Sequence, residues 1–338
     1  MTLKFAAELT SWYDKAKRNL PWRKTRDPYR ILVSEIMLQQ TRAQAVIPYY
    51  EEFLAHFPTA QDLAKAQESE VLRRWSGLGY YQRARNLQRA ARRIVELGGF
   101  PRDYDAIRDL PGVGPYTAAA VASIAFGLAH AAVDGNVLRV IARHTADAAD
   151  IGSPATKARF ETIAEELLDK RDPGRFNQAM MELGATICLP RNPLCLLCPV
   201  ARGCEARLEG KQSELPVKLG RRAPVRIETT LLIVERKGSI LLWRRDPKAT
   251  RLGGFWELPS IEDLPRVSSQ EKLGSFRHSI MNHDYFVTVM RAKVTRVSDR
   301  FQWFDATELR SLPLSTTTKK GMAVLASARA AKRIESHL

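Results

Sequence analysis

The chain has 338 residues, 45% of them hydrophobic, and carries 53 basic against 37 acidic side chains for a net charge of +16. That is enough apolar material for two domain cores, and it excludes a disordered tail or a small stapled module. No apolar run approaches the length that spans a bilayer, and the opening Met-Thr-Leu-Lys-Phe-Ala-Ala-Glu lacks the apolar centre of an export signal. The expectation is a soluble cytoplasmic protein with no membrane partner, whose positive charge serves a polyanion.

Leu3 to Asn19 has apolar residues at helical spacing (Leu3, Ala7, Leu9, Trp12, Ala16), and Leu20-Pro21-Trp22-Arg23 ends it. Ile31 to Leu38 is apolar at nearly every position, which predicts a buried helix. Glu35 interrupts that run, so its carboxylate must be paired or pushed toward neutrality by desolvation. Thr41 to Phe57 and Ala60 to Trp75 read as further helices, broken by Pro58 and Gly77. Trp75-Ser76-Gly77-Leu78-Gly79-Tyr80-Tyr81 reads as a loop exposing a leucine and two tyrosines. Seven arginines and no acidic residue lie from Arg73 to Arg93. Beside that loop they suit a phosphate-tracking surface carrying a wedge that enters a base stack.

Tyr104 to Asp109 is a short helix candidate and Thr117 to Phe126 a buried one. Between them, Leu110-Pro111-Gly112-Val113-Gly114-Pro115 makes a tight hairpin. Its backbone N–H groups, with the positive end of the second helix, suit a phosphate oxygen. Val133-Asp134-Gly135-Asn136 then places a carboxylate at the end of an apolar segment, and Ala155 to Asp169 reads as another helix. All four cysteines fall together as Cys188, Cys195, Cys198 and Cys204, spaced Cys-x6-Cys-x2-Cys-x5-Cys. Such a quartet, with no other cysteine in the chain, reads as metal ligation rather than disulfides. Four thiolates suit zinc as well as iron–sulfur, and spacing alone does not separate them.

Glu205 to Ala223 lacks periodicity and reads as a linker. Beyond it the period changes: Glu228 to Arg236 and Ser239 to Arg244 read as strands around Lys237-Gly238, Asp284 to Thr295 and Phe301 to Phe304 as two more. Thr307 to Leu312 and Thr318 to Ile334 read as helices. The predicted fold class is multi-domain: an all-α domain over 1–204, a linker over 205–224 and an α+β domain over 225–338.

The hairpin and the aspartate downstream resemble the helix-hairpin-helix motif of the endonuclease III superfamily of DNA glycosylases. Ser34-Glu35-Ile36-Met37-Leu38-Gln39-Gln40-Thr41 looks like the signature of its MutY-type adenine glycosylases, and the cysteine spacing matches their [4Fe–4S] loop, here 188–204. Leu241-Leu242-Trp243-Arg244-Arg245 and Gly253-Gly254-Phe255-Trp256-Glu257-Leu258-Pro259 match their Nudix-like C-terminal domain. Nothing like Arg-Glu-x-x-Glu-Glu follows Pro259, so that domain is expected to read a base rather than to hydrolyse nucleotides.

The resemblance implies a monofunctional, monomeric hydrolase at the bacterial nucleoid, acting in base excision repair. It would flip adenine, mispaired with 8-oxoguanine or guanine, out of double-stranded DNA and hydrolyse its N-glycosidic bond. It assigns the catalytic acid to Glu35 and stabilisation of the sugar's positive charge to Asp134, with Tyr116 and Asn136 in support. It assigns DNA contacts to Arg23, Gln40, Thr41, Leu78, Gly79, Tyr80, Arg83, Gly112, Val113 and Gly114, and a [4Fe–4S] cluster to the four cysteines. The alternative within the superfamily, a glycosylase/lyase acting on damaged pyrimidines, needs an amine nucleophile two residues after the second hairpin glycine. Here that position is Tyr116.

Two departures from the family stand out. Gln178 occupies a position where some relatives carry a glutamate facing the adenine, and an amide cannot relay a proton as an acid. Relatives also read 8-oxoguanine with a Phe-Ser-His triplet, where this chain has Ile280, Met281 and Asn282. Because that reading needs side chains that accept and donate, Ser279, Asn282 and His283 are expected to take it over.

Overall fold

The computed structural model describes residues 2–220, 223–247, 249, 252–264, 267–280 and 282–335, so Met281 lies outside the described residues. The chain forms two compact units, one of residues 1–65 and 86–221, the other of residues 66–85 and 222–338. This differs from a single cut at the linker in two places. Residues 205–221 join the helical unit, because Leu215 O accepts from Arg143 Nε at 2.8 Å and Val217 O from Ile151 N at 3.0 Å. Residues 66–85 join the other unit through contacts distant in sequence. Ser76 Oγ donates to Leu314 O at 2.9 Å, Lys319 Nζ to Ser76 O at 3.0 Å, and the Tyr81 and Phe255 rings lie 4.0 Å apart.

The helical unit comprises α1 (Thr2–Ala16), α2 (Pro28–Leu38), α3 (Ala43–His56), α4 (Ala60–Lys65), α7 (Tyr104–Arg108), α8 (Pro115–Phe126), α9 (Gly135–His144), α10 (Pro154–Leu167), α11 (Pro173–Thr186) and α12 (Glu205–Leu208). The helix expected over Ala60 to Trp75 is split into α4 and α5 (Glu68–Trp75), and the break coincides with the division between units. Helix α6 (Gln82–Glu96) straddles the second division. Helix α2 starts where its capping pattern says it should, with Asp27 accepting from Arg30 N and Pro28 in first position. The core gathers Leu9, Ile141, Phe160, Phe176 and Met180 from α1, α9, α10 and α11. Helix α8 is buried from Thr117 to Ser123, and its alanines let neighbours approach closely. On Gly174 of α11, a β-carbon would sit 2.7 Å from Ser123 O.

The second unit is α+β, as expected. A mixed six-stranded sheet runs in the order β3-β2-β1-β5-β4, with β6 paired to β2. The strands are β1 (Val225–Arg236), β2 (Ser239–Arg244), β3 (Trp256–Glu257), β4 (Val267–Ile280), β5 (His283–Val294) and β6 (Phe301–Phe304). Strands β1 and β5 run parallel with Val225 opposite His283. Helices α13 (Ala306–Ser311) and α14 (Thr316–Glu335) follow the sheet, and Leu325 belongs to a core cluster with Ile233, Leu242 and Val289. Periodicity did not reveal β4, whose Val-Ser-Ser-Gln-Glu-Lys is polar and irregular. It forms because β5 offers a partner, with two irregularities in the register. Among the described residues, no helix is long and apolar enough to cross a membrane.

Candidate active site

Glu35 projects from the buried helix α2 and is 5% exposed. The Tyr116 hydroxyl, from the first turn of α8, donates to Glu35 Oε2 at 2.7 Å and lies 3.0 Å from Met181 Sδ of α11. Burial pushes the Glu35 carboxyl up to about 7; the Tyr116 hydrogen bond opposes this, the Asp134 charge reinforces it and Arg23 opposes it. Burial and the two carboxylates raise Tyr116 well above its ordinary value, so it serves as a neutral donor.

Asp134 caps α9. Its Oδ1 accepts from Asn136 N and Val137 N, each at 2.8 Å, and its Oδ2 accepts from Asn136 Nδ2 at 2.8 Å. Three donors at the helix N-terminus thus fix the orientation of its side chain. Asn136 is braced in turn: its Oδ1 accepts from Arg139 Nη2 at 2.9 Å, and the same guanidinium donates to Gly184 O at 2.7 Å and Cys188 O at 2.8 Å. Gly184 is required by this approach, since a β-carbon would lie 2.6 Å from Asn136 Cβ.

Glu35, Tyr116, Asp134 and Asn136 line one cleft of about 850 Å³, together with Arg23, Gln40, Thr41 and Gln178. Gln40 lies just past the end of α2 with φ +57°, and it is exposed at the rim. Gln178 Oε1 accepts from Tyr13 OH at 3.1 Å. Sequence reasoning missed Glu182, a fully buried carboxylate in this cleft that accepts from Arg18 Nη2 at 2.7 Å and Arg23 Nη2 at 2.6 Å. Burial alone would raise its pKa, yet the Arg18 and Arg23 hydrogen bonds hold it at about 2. The available signal was helical spacing, which puts Gln178, Met181, Glu182 and Ala185 on one face of α11. Arg23, expected at DNA, is thus anchored in the cleft wall.

In the hairpin, Gly112 has φ +78° and faces the Asn86 side chain at 2.5 Å from where a β-carbon would stand, so only glycine fits. Val113 is buried and its N–H donates to Leu110 O at 3.0 Å, which removes it from the expected phosphate donors. Gly114 caps α8.

The loop after α5 also departs from expectation. Leu78 is 8% and Tyr81 5% exposed, because both pack inward; Tyr80 is 40% exposed. Arg83, expected at a phosphate, is 9% exposed. Gly79 has φ +71° between them.

The four cysteines are free of disulfides and line one cavity with Val140, Arg143, His144 and Leu183. Arg143 is 2% exposed and donates to Cys188 Sγ at 3.3 Å and Leu189 O at 2.6 Å. Burial pushes the Cys198 thiol up to about 12, so its thiolate form calls for a cationic partner.

In the stretch expected to read the opposite base, β4 extends to Ile280, which pairs with His283 of β5. Ser279 Oγ and the Arg277 guanidinium both donate to Asp284, and Asn282 Nδ2 donates to Ala223 O at 3.0 Å. The His283 and Tyr285 rings lie 6.2 Å apart.

Residues 33–168 match the HhH-GPD superfamily of base excision DNA repair proteins. The chain is 36% identical to the adenine DNA glycosylase of Homo sapiens over 94% of this chain and 73% of that relative. It is 41% identical to that of Rattus norvegicus, with 79% of this chain covered and 62% of the relative's length spanned. Among solved structures, a thermostable thymine-DNA glycosylase is similar with a TM-score of 0.55 at 34% identity, covering 62% of this chain and 97% of the other. The hairpin, the buried Glu35 and the capped Asp134 all fall within the matched segment, and on this similarity the chain belongs to the adenine DNA glycosylase family.

Proposed function

We propose that this protein is a monofunctional glycosylase that removes adenine from mispairs with 8-oxoguanine or guanine in duplex DNA. The observation that carries the reading is the pair of unlike carboxyls in one cleft: Glu35, raised to about 7 by burial, and Asp134, surrounded by three donors. Such a division puts an acid and an anion on one substrate. The adenine leaves the stack and enters the cleft, which costs a few kcal/mol and least at a mispair. Glu35 gives its proton to the base ring, the C–N bond breaks with its electrons going to the base, and positive charge develops on the sugar. Asp134 stabilises that charge, Tyr116 orients Glu35, and water adds to the anomeric carbon and loses a proton. Tyr116 stands where a lyase would need an amine, which favours hydrolysis alone.

The four cysteines suit a [4Fe–4S] cluster. They line a shared cavity beside the buried Arg143 guanidinium, which donates to Cys188 Sγ. When bound, the cluster would cross-link the loop and hold its basic residues Arg191 and Arg202 in place, with no part in hydrolysis. Backbone amides of Gly112 and Gly114 at the α8 N-terminus suit a phosphate. In the second unit, Ser279, Asn282 and His283 stand where β4 meets β5; with its hydrogen directed to Asp284, Ser279 Oγ keeps lone pairs that can accept from the N7–H that distinguishes 8-oxoguanine.

The test is a labelled duplex with adenine opposite 8-oxoguanine, incubated with the enzyme and developed with or without hot alkali. Strand cleavage only after alkali supports the proposal. Cleavage without alkali indicates a lyase, and an intact strand in both lanes refutes glycosylase activity on this substrate.

A further inference from the structure

The loop that follows α5 presents one aromatic ring in a conformation it would not hold alone. Tyr80 has φ +49°, in the left-handed region disfavoured for a side chain with a β-carbon, between Gly79 and the buried Tyr81. Arg83 holds this shape from beneath. Its Nη2 donates to Leu78 O and Gly79 O, both at 3.2 Å, and its amide donates to Tyr80 O at 2.8 Å. The guanidinium carbon lies 5.4 Å from the Tyr80 ring centroid and 5.5 Å from that of Trp75. Trp75 Nε1 completes the frame by donating to Gly79 O at 3.1 Å. A guanidinium meant for phosphate would face solvent, whereas burial lowers this one to about 10.

We propose that Arg83 is a positioning residue that locks the Leu78–Gly79–Tyr80 backbone and so presents the Tyr80 ring as a preformed wedge for the duplex. The inference rests on the reading of the chain as a duplex-binding glycosylase. A ring already held in its inserting pose has less freedom to lose when it enters the base stack. The same Arg83 hydrogen bonds and ring contacts would be lost in solution if the fork were removed, and a lysine would keep the charge without the paired donors.

The experiment uses the full chain. Hydrogen exchange of the Gly77–Tyr81 amides is measured without DNA for wild type, Arg83→Lys and Arg83→Ala. Single-turnover adenine excision is then measured for wild type, Arg83→Ala, Tyr80→Ala and the double variant, with 2-aminopurine fluorescence reporting opening of the stack. Arg83→Ala should speed exchange at Leu78, whose amide donates to Trp75 O at 3.1 Å beneath the clamp, and each single variant should slow excision about tenfold, the scale of one lost base–aromatic contact. Once Tyr80→Ala is present, adding Arg83→Ala should change nothing further. Arg83→Lys should fall between, and it carries the same tests if Arg83→Ala does not fold. Unchanged exchange, or losses that multiply in the double variant, overturns the proposal. A wild-type enzyme that excises no adenine overturns the glycosylase reading instead, and the exchange data still judge the clamp.

Discussion

The Tyr116 hydroxyl donates to Glu35 Oε2 at 2.7 Å, joining the start of α8 to the middle of α2 inside a cleft that also holds Asp134. This hydrogen bond favours the ionised carboxyl, while burial and the Asp134 charge favour the protonated one, and burial wins.

The first expectation follows for pH. With Glu35 raised from 4.5 to about 7, the acid form is present below that value, so single-turnover excision should fall as pH rises through about 7. Glu35→Gln keeps the shape without the acid and should lose at least about 10²–10⁴-fold in rate while duplex binding survives. A near wild-type single-turnover rate in this variant would remove Glu35 from the acid role.

Stability gives the same carboxyl a second readout. Because its folded pKa is raised, the protonated group favours folding below pH 4.5, and that contribution is lost as pH rises through about 7. Glu35→Gln should therefore be more stable than wild type at pH 8, by up to about 3 kcal/mol, and indistinguishable near pH 4. Thermal melts at the two pH values decide it.

Tyr116→Phe removes the one hydrogen bond that opposes the upward shift. The alkaline limb of the rate profile should move to higher pH, with a lower plateau because the acid is no longer oriented. An unmoved limb would show that the hydroxyl does not act on Glu35.

Glu182→Gln breaks a buried ion pair and leaves Arg23, 11% exposed at its side chain, without its anion. The cost should be about 3–5 kcal/mol in denaturant unfolding at neutral pH. Since the folded pKa is depressed to about 2, the difference from wild type should be present above pH 4.5 and shrink as pH falls toward 2.

For the opposite base, Asn282→Ala with His283→Ala should shrink the preference for 8-oxoguanine over guanine while largely sparing excision opposite guanine. One contact of this kind is worth about 1–3 kcal/mol of discrimination. Equal losses on both mispairs would leave this stretch as a duplex-holding element only.

The purified protein should be brown and hold about four iron atoms per chain, as a [4Fe–4S] assignment requires. A colourless protein with one equivalent of zinc would overturn it. Cys198→Ser should weaken folding and DNA binding more than the chemistry of bound substrate.

Much of this protein was legible in the chain because the relevant signals are local. A glutamate inside the apolar run of α2 had to be buried and perturbed, and it is. Asp134, read as a carboxylate at the end of an apolar segment, lines the cleft, and the two-glycine hairpin read between two helices joins α7 to α8. The tertiary structure alone decided the rest. Nothing near Glu182 in sequence announces Arg18 and Arg23, which come from a segment more than a hundred residues away and decide whether that carboxylate is charged. Leu78 and Arg83 read as surface residues but are buried, in a segment, residues 66–85, that belongs to one compact unit with residues 222–338. Strand β4, polar and irregular, exists because β5 supplies its hydrogen bonds. Periodicity reports which face of an element avoids water, whereas the partner of a buried charge or an unpaired backbone is set only when distant segments meet.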